Sequence, residues 1–253
     1  MYHLCYNRCV YFKPILSGRC AMSELAKHPL RLFYCYAHED KTLRDTLDRH
    51  LSGLKRQKLL EIWYDGEISP SMDWEHEIDK HLSSADIVLL LVSADFLDSE
   101  YCYGKEMARA LQRHKEGTAR VIPIILRPVD WEDAPFSTLQ VLPTEAKPVT
   151  RWMNPDDAYE DITKALRVMF NDLQSSRENV AFADEWYQKG ENFKNAKQYE
   201  KAIEACEKAI RLNPDDAVVY YLKGFTLSKL SYYKEASAAF SKASSLVNAG
   251  WTG

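Results

Sequence analysis

The sequence predicts a parallel α/β domain over the first two-thirds of the chain and a small all-helical module at its end. Two observations support this division. Short apolar runs alternate with helical stretches up to residue 172, which is typical of a sheet covered by helices on both faces. From residue 182 onwards the chain aligns with itself after a shift of 34 residues, which indicates a repeated pair of helices.

Five short apolar runs predict the strands of the α/β domain. The strongest is 87–92, an unbroken aliphatic run that suits a strand buried on both faces of a parallel sheet. The others are 32–36, 62–64, 121–126 and, as a weaker signal, 149–152. Because strand–helix–strand crossovers are right-handed, these elements fit a five-stranded, doubly wound parallel sheet of flavodoxin-like order.

The helices between these strands show single apolar stripes. Leucines spaced four, four and three residues apart follow the first strand, namely Leu43, Leu47, Leu51 and Leu54. Asp40 stands at the N-cap position of this helix, and Ser99 at that of the helix after the third strand.

Ligands of doubly wound sheets bind beyond the carboxyl ends of the strands. The segments 37–40, 65–71 and 93–99 are therefore the predicted site region. No glycine-rich phosphate loop follows any strand, which counts against a dinucleotide-dependent dehydrogenase or a P-loop enzyme. A flavodoxin-like flavin or phosphate-binding domain fits the fold but lacks that loop. Metal-ligand spacing and a Ser-His-Asp arrangement are also missing from this domain, so no metal site is predicted.

Charge and hydropathy exclude two further classes of function. The net charge is −4 and no long basic block is present, which argues against nucleic acid as the main partner. The longest aliphatic run is 87–92, whereas a membrane helix needs about 20 apolar residues, so no membrane span is predicted.

The 6 cysteines do not form a disulfide framework. Three crowd the first twenty positions and the others are scattered singly, at Cys35, Cys102 and Cys206. This usage indicates a reducing compartment and hence a cytoplasmic location.

Residues 1–28 are left unassigned. The segment 1–21 contains no acidic residue and shows no helical or strand period, so a natural start at Met22 is the preferred interpretation. A signal peptide would need an apolar core, which is missing. A zinc site is the other alternative, and its candidate ligands are His3, Cys5, Cys9 and Cys20.

Four stretches, in order, resemble a Toll/interleukin-receptor (TIR) domain of bacterial type. They are an apolar strand with a charged loop at 33–40, the loop 63–70 with Trp74, the strand 86–93 with its terminal serine, and Tyr101-Cys102 followed by Glu106. The resemblance extends over 29–172. Each stretch alone is a weak signal, whereas the ordered set is strong.

The sequence departs from the family pattern at two places. Cys35 stands where serine is usual. Cys102 stands four residues before Glu106, where the family commonly has an aromatic residue, while Tyr101 lies five and Tyr103 three residues before it.

The resemblance implies cleavage of NAD⁺ between nicotinamide and ribose, with NAD⁺ as substrate and no cofactor. Nicotinamide leaves as a neutral molecule, so the reaction needs no general acid. One fixed carboxylate that stabilises an oxocarbenium-like ribosyl centre is sufficient. Glu106 is predicted to be that carboxylate; the alternatives are a solvated helix glutamate at this position, or Glu100 in the first turn of the same helix.

The resemblance also implies the positions that bind substrate. They are Tyr36, Ala37 and His38 after the first strand, Asp65, Ile68 and Ser71 in the loop after the second, and Tyr101 and Cys102 before the predicted catalytic glutamate. His38 could equally be a plain surface residue, and the Asp65-Gly66 pair could form only a turn.

The end of the chain resembles two tetratricopeptide repeats. The 34-residue shift pairs identical residues at packing positions: Gly190 with Gly224, Tyr199 with Tyr233, Ala202 with Ala236 and Ala209 with Ala243. The repeats occupy 182–248, followed by a tail at 249–253. Residues 173–181 either connect the two domains or continue the preceding helix.

Together these resemblances imply an NAD⁺-cleaving immune, anti-phage or cell-death effector that is active as an assembly. The repeats would serve self-association or bind a protein or peptide partner. The alternative is a non-enzymatic signalling adaptor that works through contacts between TIR domains and through its repeats.

Overall fold

The computed structural model describes residues 28–64 and 74–249. The chain divides into two compact units, with the boundary between Asn171 and Asp172. The predicted start at Met22 and the candidate zinc ligands lie outside the described residues. No helix within the described ranges is both long enough and apolar enough to cross a membrane.

The N-terminal unit alternates strands and helices, as the sequence predicts. Its elements are β1 (Leu30–Tyr36), α1 (Lys41–His50), α2 (Ser52–Arg56), β2 (Leu60–Trp63), α3 (Trp74–Ser84), β3 (Ile87–Val92), α4 (Ala94–Asp98), a π-helix (Glu100–Glu106), α5 (Met107–Lys115) and β4 (Arg120–Ile125), with short 3₁₀ turns at His38–Asp40, Thr144–Ala146 and Val149–Arg151. The strands pair in parallel in the order β2-β1-β3-β4. The flavodoxin-like order is therefore confirmed for these four strands.

The predicted fifth strand at 149–152 is wrong, because Val149–Arg151 form a 3₁₀ turn. A single residue, Leu142, occupies the place beside β4. Its N–H donates to Pro123 O at 2.9 Å, and its carbonyl accepts from Ile125 N–H at 2.8 Å. Pro143 follows at once and has no N–H with which to continue a ladder.

The sheet carries the core of this unit. All six residues of β3 are buried, as expected for a central strand between two parallel neighbours. The carboxyl ends of β1 and β3 then lead into the segments that form the candidate site. β1 leads into a 3₁₀ turn, and β3 is followed by Ser93, whose hydroxyl accepts from Phe96 N–H at 3.1 Å and caps α4.

The C-terminal unit contains the end of α6 (Pro155–Asn195) and three further helices, α7 (Tyr199–Leu212), α8 (Ala217–Lys229) and α9 (Tyr233–Ala249). The segment 173–181 lies within α6, so of the two alternatives left open by the sequence the helical one is correct. Cys206, Val219 and Leu222 are among the residues of its buried cluster.

The 34-residue period is visible in the backbone itself. The turn between α6 and α7 has Lys197 at φ 59°, and the turn between α8 and α9 has Ser231, the residue 34 positions later, at φ 64°. In both turns the next residue donates its N–H five residues back, Gln198 to Phe193 O at 2.9 Å and Tyr232 to Leu227 O at 3.0 Å. The same helix–turn–helix unit therefore occurs twice.

Gly224 permits the close approach of α8 and α9, and we expect Gly224→Ala to lower the free energy of unfolding of this unit. A Cβ atom at this position would lie 2.9 Å from Cδ1 and Cε1 of Phe240. Overpacking of this kind costs about 1–3 kcal/mol, which outweighs the gain of about 1 kcal/mol from replacing a helical glycine. Hydrogen-exchange mass spectrometry of α8 and α9 peptides measures the loss.

The matched control is Gly53→Ala in α2, where a Cβ atom would meet nothing within 4 Å. This variant should be neutral or more stable than the wild type. Equal protection of α8 and α9 in wild type and Gly224→Ala would show that the ring of Phe240 moves aside at no cost, contrary to this prediction.

Candidate functional site

A cavity of about 330 Å³ lies at the carboxyl ends of β1 and β3, where the fold predicts a ligand site. Its lining comes from β1 and the turn after it, and from α4 and the π-helix. The lining residues are Phe33, Tyr34, Tyr36, Ala37, His38, Glu39, Asp95, Asp98, Ser99, Cys102 and Glu106. Its volume matches that of small-molecule sites, which begin at about 300 Å³.

Glu106 is a buried carboxylate on the wall of this cavity. It is only 6% exposed, so the solvated helix glutamate that the sequence left as an alternative is not what the structure shows. The thiol of Cys35 on β1 donates to Oε2 of Glu106, with an S–O distance of 2.8 Å. Burial raises the pKa of the Cys35 thiol well above its usual value, and the adjacent Cys102 and the charge of Glu106 act in the same direction.

The helix that carries Glu106 begins as a π-helix, which changes the register of the residues before it. Met107 N–H donates to the carbonyl of Cys102, five residues back. One hydrogen-bonded turn of a π-helix spans five residues, whereas a turn of an α-helix spans four. In the π-helical register the backbone of Tyr101, five residues before Glu106, therefore lies one turn before it. Tyr103 instead packs against the buried cluster of the N-terminal unit.

The structure brings four further predicted residues to the cavity, namely Tyr36, Ala37, His38 and Cys102. The Tyr36 hydroxyl accepts from Arg44 Nη2 at 3.3 Å, and the guanidinium carbon of this buried arginine lies 4.9 Å from the centre of the tyrosine ring. The thiol of Cys102 donates to the Tyr36 carbonyl at 3.3 Å. His38 is exposed at the rim.

The remaining predicted residues are not placed by the structure. Asp65, Ile68 and Ser71 lie outside the described residues. Tyr101 is described through its backbone alone.

An ion-pair network connects the segments that follow β1, β3 and β4 next to the cavity. Asp40 is fully buried, and its carboxylate accepts from the hydroxyl of Ser93 and lies 2.6 Å from Nη2 of Arg127. The same arginine lies 2.7 Å from Asp95 Oδ2 and donates to the Glu39 carbonyl at 3.1 Å. Burial raises the pKa of the Asp40 carboxyl above its usual value, while the Ser93 hydrogen bond and Arg127 act in the opposite direction.

The role predicted for Asp40 was therefore wrong. It stands at the N-cap position of α1, but its side chain caps nothing and serves this network instead. Ser99 does cap, since its hydroxyl accepts from Cys102 N–H at 3.2 Å at the start of the π-helix.

The cavity is acidic. Among the residues that the structure describes, four carboxylates and no lysine or arginine line it, the four being Glu39, Asp95, Asp98 and Glu106. Asp95 is neutralised in part by Arg127, whereas Glu106 is the one carboxylate among them that is buried. A desolvated, fixed carboxylate stabilises positive charge that develops beside it, as on a sugar carbon that becomes oxocarbenium-like when its leaving group departs.

A second cavity of about 390 Å³ also has Glu106 in its lining. Lys105 lines it and pairs at 3.4 Å with Glu75, which also lines it. Glu106 thus contributes to the lining of both cavities.

Sequence reasoning missed several lining residues. Glu39, Asp95 and Asp98 fall within the three segments predicted after the strands, so position after a strand was an available signal for them. Cys35 was noted only as a departure from a family pattern. Nothing in the sequence marks it as the donor to Glu106.

Comparison with known proteins gives the family of each part of the chain. A family profile described as a TIR domain matches residues 32–161, and profiles described as tetratricopeptide repeats match residues 183–216 and 205–236.

Curated relatives match the two parts separately. The chain is 49% identical over 136 residues to "Uncharacterized protein y4lF" of Sinorhizobium fredii, which covers 54% of this chain and 42% of that protein. It is 31% identical over 94 residues to "Small glutamine-rich tetratricopeptide repeat-containing protein beta" of Rattus norvegicus and of Mus musculus, covering 33% of this chain and 31% of each of those proteins. The chain spans less than half the length of each of these relatives.

Proposed function

Because the chain belongs to the TIR domain family and continues into tetratricopeptide repeats, we propose that it is an NAD⁺ glycohydrolase. The reaction breaks the bond between C1′ of ribose and N1 of nicotinamide and adds water. It yields nicotinamide, ADP-ribose and one proton. The product could also be cyclised ADP-ribose if an atom of the substrate itself attacks C1′ in place of water.

The observation that carries the proposal is the buried carboxylate of Glu106 in an acidic cavity. As the bond to the cationic nicotinamide lengthens, positive charge moves onto the ribose. A fixed carboxylate in a desolvated setting stabilises this charge more strongly in the transition state than in the ground state. The leaving group departs neutral, so no proton donor is required.

The other residues of the cavity supply binding. Glu106 shares its cavity with Tyr36, Ala37, His38 and Cys102. Tyr101 stands one π-helical turn before it and is the residue we assign to contact the substrate ring. Asp65, Ile68 and Ser71 are proposed to contribute from the loop after β2.

The repeats give the enzyme a means of control. A tetratricopeptide array buries each repeat against a neighbour, and its open face binds protein segments or further copies. We propose that such association gathers TIR domains and activates them, and that the chain acts as an immune, anti-phage or cell-death effector in the cytoplasm.

The test is nicotinamide release from NAD⁺ by the purified full chain at several protein concentrations, resolved by liquid chromatography. We expect nicotinamide and ADP-ribose products in equal amounts, at a rate that rises more than linearly with protein concentration. No release at any concentration, including with a crowding agent, would favour a signalling adaptor. Cys102 at the position where an aromatic residue is common is the observation that favours this second candidate.

A further inference from the structure

Cys35 is a buried donor that contacts the carboxylate of Glu106. It lies in β1 between two residues that line the cavity, Tyr34 and Tyr36, and is itself 0% exposed. Its Sγ lies 2.8 Å from Oε2 of Glu106 and 3.7 Å from the carbonyl of Cys102. The strand thereby touches the π-helix at the carboxylate itself.

The surroundings of the thiol exclude a role as nucleophile. Full burial keeps Cys35 out of contact with anything in the cavity. Burial also raises the pKa of the thiol well above its usual value, so the group stays protonated at neutral pH and remains a donor. The sulfur is therefore placed to act on Glu106 and not on a substrate.

We propose that Cys35 is a positioning residue whose thiol fixes the orientation of the Glu106 carboxylate and favours its charged form. This inference rests on the proposed function and deepens it. A carboxylate at 6% exposure has lost most of its water and relies on protein donors to remain ionised. The hydrogen bond to Oε2 also holds the side chain in one orientation toward the cavity, which keeps the charge beside the reacting ribose.

The first experiment compares Cys35→Ala and Cys35→Ser in full pH–rate profiles of NAD⁺ cleavage. Cys35→Ala removes the thiol donor to Oε2 of Glu106, so we expect kcat to fall by about tenfold with little change in KM. The acidic limb of the profile should also move to higher pH, because the charged carboxylate has lost a hydrogen bond. Cys35→Ser keeps a donor and should restore both kcat and the acidic limb. Cys206→Ala, at a fully buried thiol of the C-terminal unit, is the matched control and should leave both unchanged.

A merely structural role for Cys35 would lower stability without moving the acidic limb. An acidic limb unchanged in Cys35→Ala, or a serine variant that behaves like the alanine variant, would overturn the proposal.

A second measurement does not depend on turnover. The S–H stretching band of a thiol shifts to lower frequency when the thiol donates a hydrogen bond, and the band of Cys35 is identified by its loss in Cys35→Ala. We expect Glu106→Gln to move this band toward higher frequency, because an amide oxygen is a weaker acceptor than a carboxylate. A band that does not move would overturn the positioning role. If the band moves but NAD⁺ is never cleaved, the proposed function fails and the contact stands.

Discussion

Replacing Glu106 with glutamine is expected to lower nicotinamide release from NAD⁺ by about 10³-fold, the loss typical of removing one preorganised charge-stabilising group. Glutamine has nearly the same shape and an oxygen that can still accept from Cys35, so the helix and cavity should persist. What the change removes is the negative charge beside C1′. The loss should therefore appear mainly in kcat, because the charge acts on the transition state.

The matched control for this prediction is Glu100→Gln. Glu100 belongs to the same π-helix but is exposed, so its charge is screened by solvent. We expect this variant to keep wild-type turnover within about twofold. Thermal unfolding of both variants shows whether either change has altered the fold.

Turnover that survives Glu106→Gln in a folded protein would assign the chemistry to another group. Equal losses of turnover in Glu106→Gln and Glu100→Gln would show that the net charge of the region matters and not the position of one carboxylate. A fall confined to Glu106→Gln supports Glu106 as the carboxylate that stabilises the ribosyl charge.

The sheet and the repeats were predictable because local patterns encode them. The strand at 87–92 was predicted with the bounds that the structure shows. An unbroken aliphatic run of this length is typical of a strand that is buried on both faces of a parallel sheet. The repeats were predictable because two copies of one pattern reinforce each other, down to the left-handed residues Lys197 and Ser231.

The contacts that make the site were not predictable, because they join residues far apart in the chain. Cys35 and Glu106 are 71 positions apart, and Ser93 and Asp40 are 53 apart. A single sequence gives no signal for which distant polar side chains meet. Asp40 shows the consequence, since local reasoning assigned it to the nearest helix end while burial makes its charge depend on Arg127.

The π-helix is an intermediate case, since the sequence did carry a signal for it. The tyrosine expected four residues before Glu106 occurs five residues before it, as if one residue had been inserted. An α-helix absorbs one extra residue by forming a π-turn, which shifts the register by one position without ending the helix. The irregular aromatic spacing thus coincides with the π-helix, in which the backbone of Tyr101 lies one turn before Glu106.

Removing Arg127 should clearly lower the free energy of unfolding of the N-terminal unit. Asp40 is 0% exposed, so Arg127→Met leaves a buried carboxylate with the hydroxyl of Ser93 but without its cation. Breaking a fully buried pair costs about 3–5 kcal/mol, and because Arg127 is partly exposed we expect about 2 kcal/mol here. Hydrogen exchange of peptides from β1 and β3 measures the loss for this unit separately from the repeats.

Two further variants separate the ion pair from other effects. Arg120→Met changes an exposed arginine at the opposite end of β4 and should cost less than about 0.5 kcal/mol. In an Asp40→Asn background the carboxylate is gone, so adding Arg127→Met should cost clearly less than it does alone. Equal costs in the two backgrounds would show that Arg127 acts through Asp95 or the Glu39 carbonyl and not through Asp40.

The stability loss caused by Arg127→Met should depend on pH, because it depends on the charge of Asp40. Burial raises the pKa of Asp40 above its unfolded value, so its ionisation destabilises the fold, and stability is lost as pH rises through the folded pKa. Arg127 offsets that loss only when the carboxylate is charged. The loss of unfolding free energy caused by Arg127→Met should therefore be largest at neutral pH and shrink as Asp40 becomes protonated, whereas a packing defect would persist at every pH.

Arg127 also contacts Glu39 and Asp95, which line the cavity, so we expect Arg127→Met to raise the KM for NAD⁺ at neutral pH.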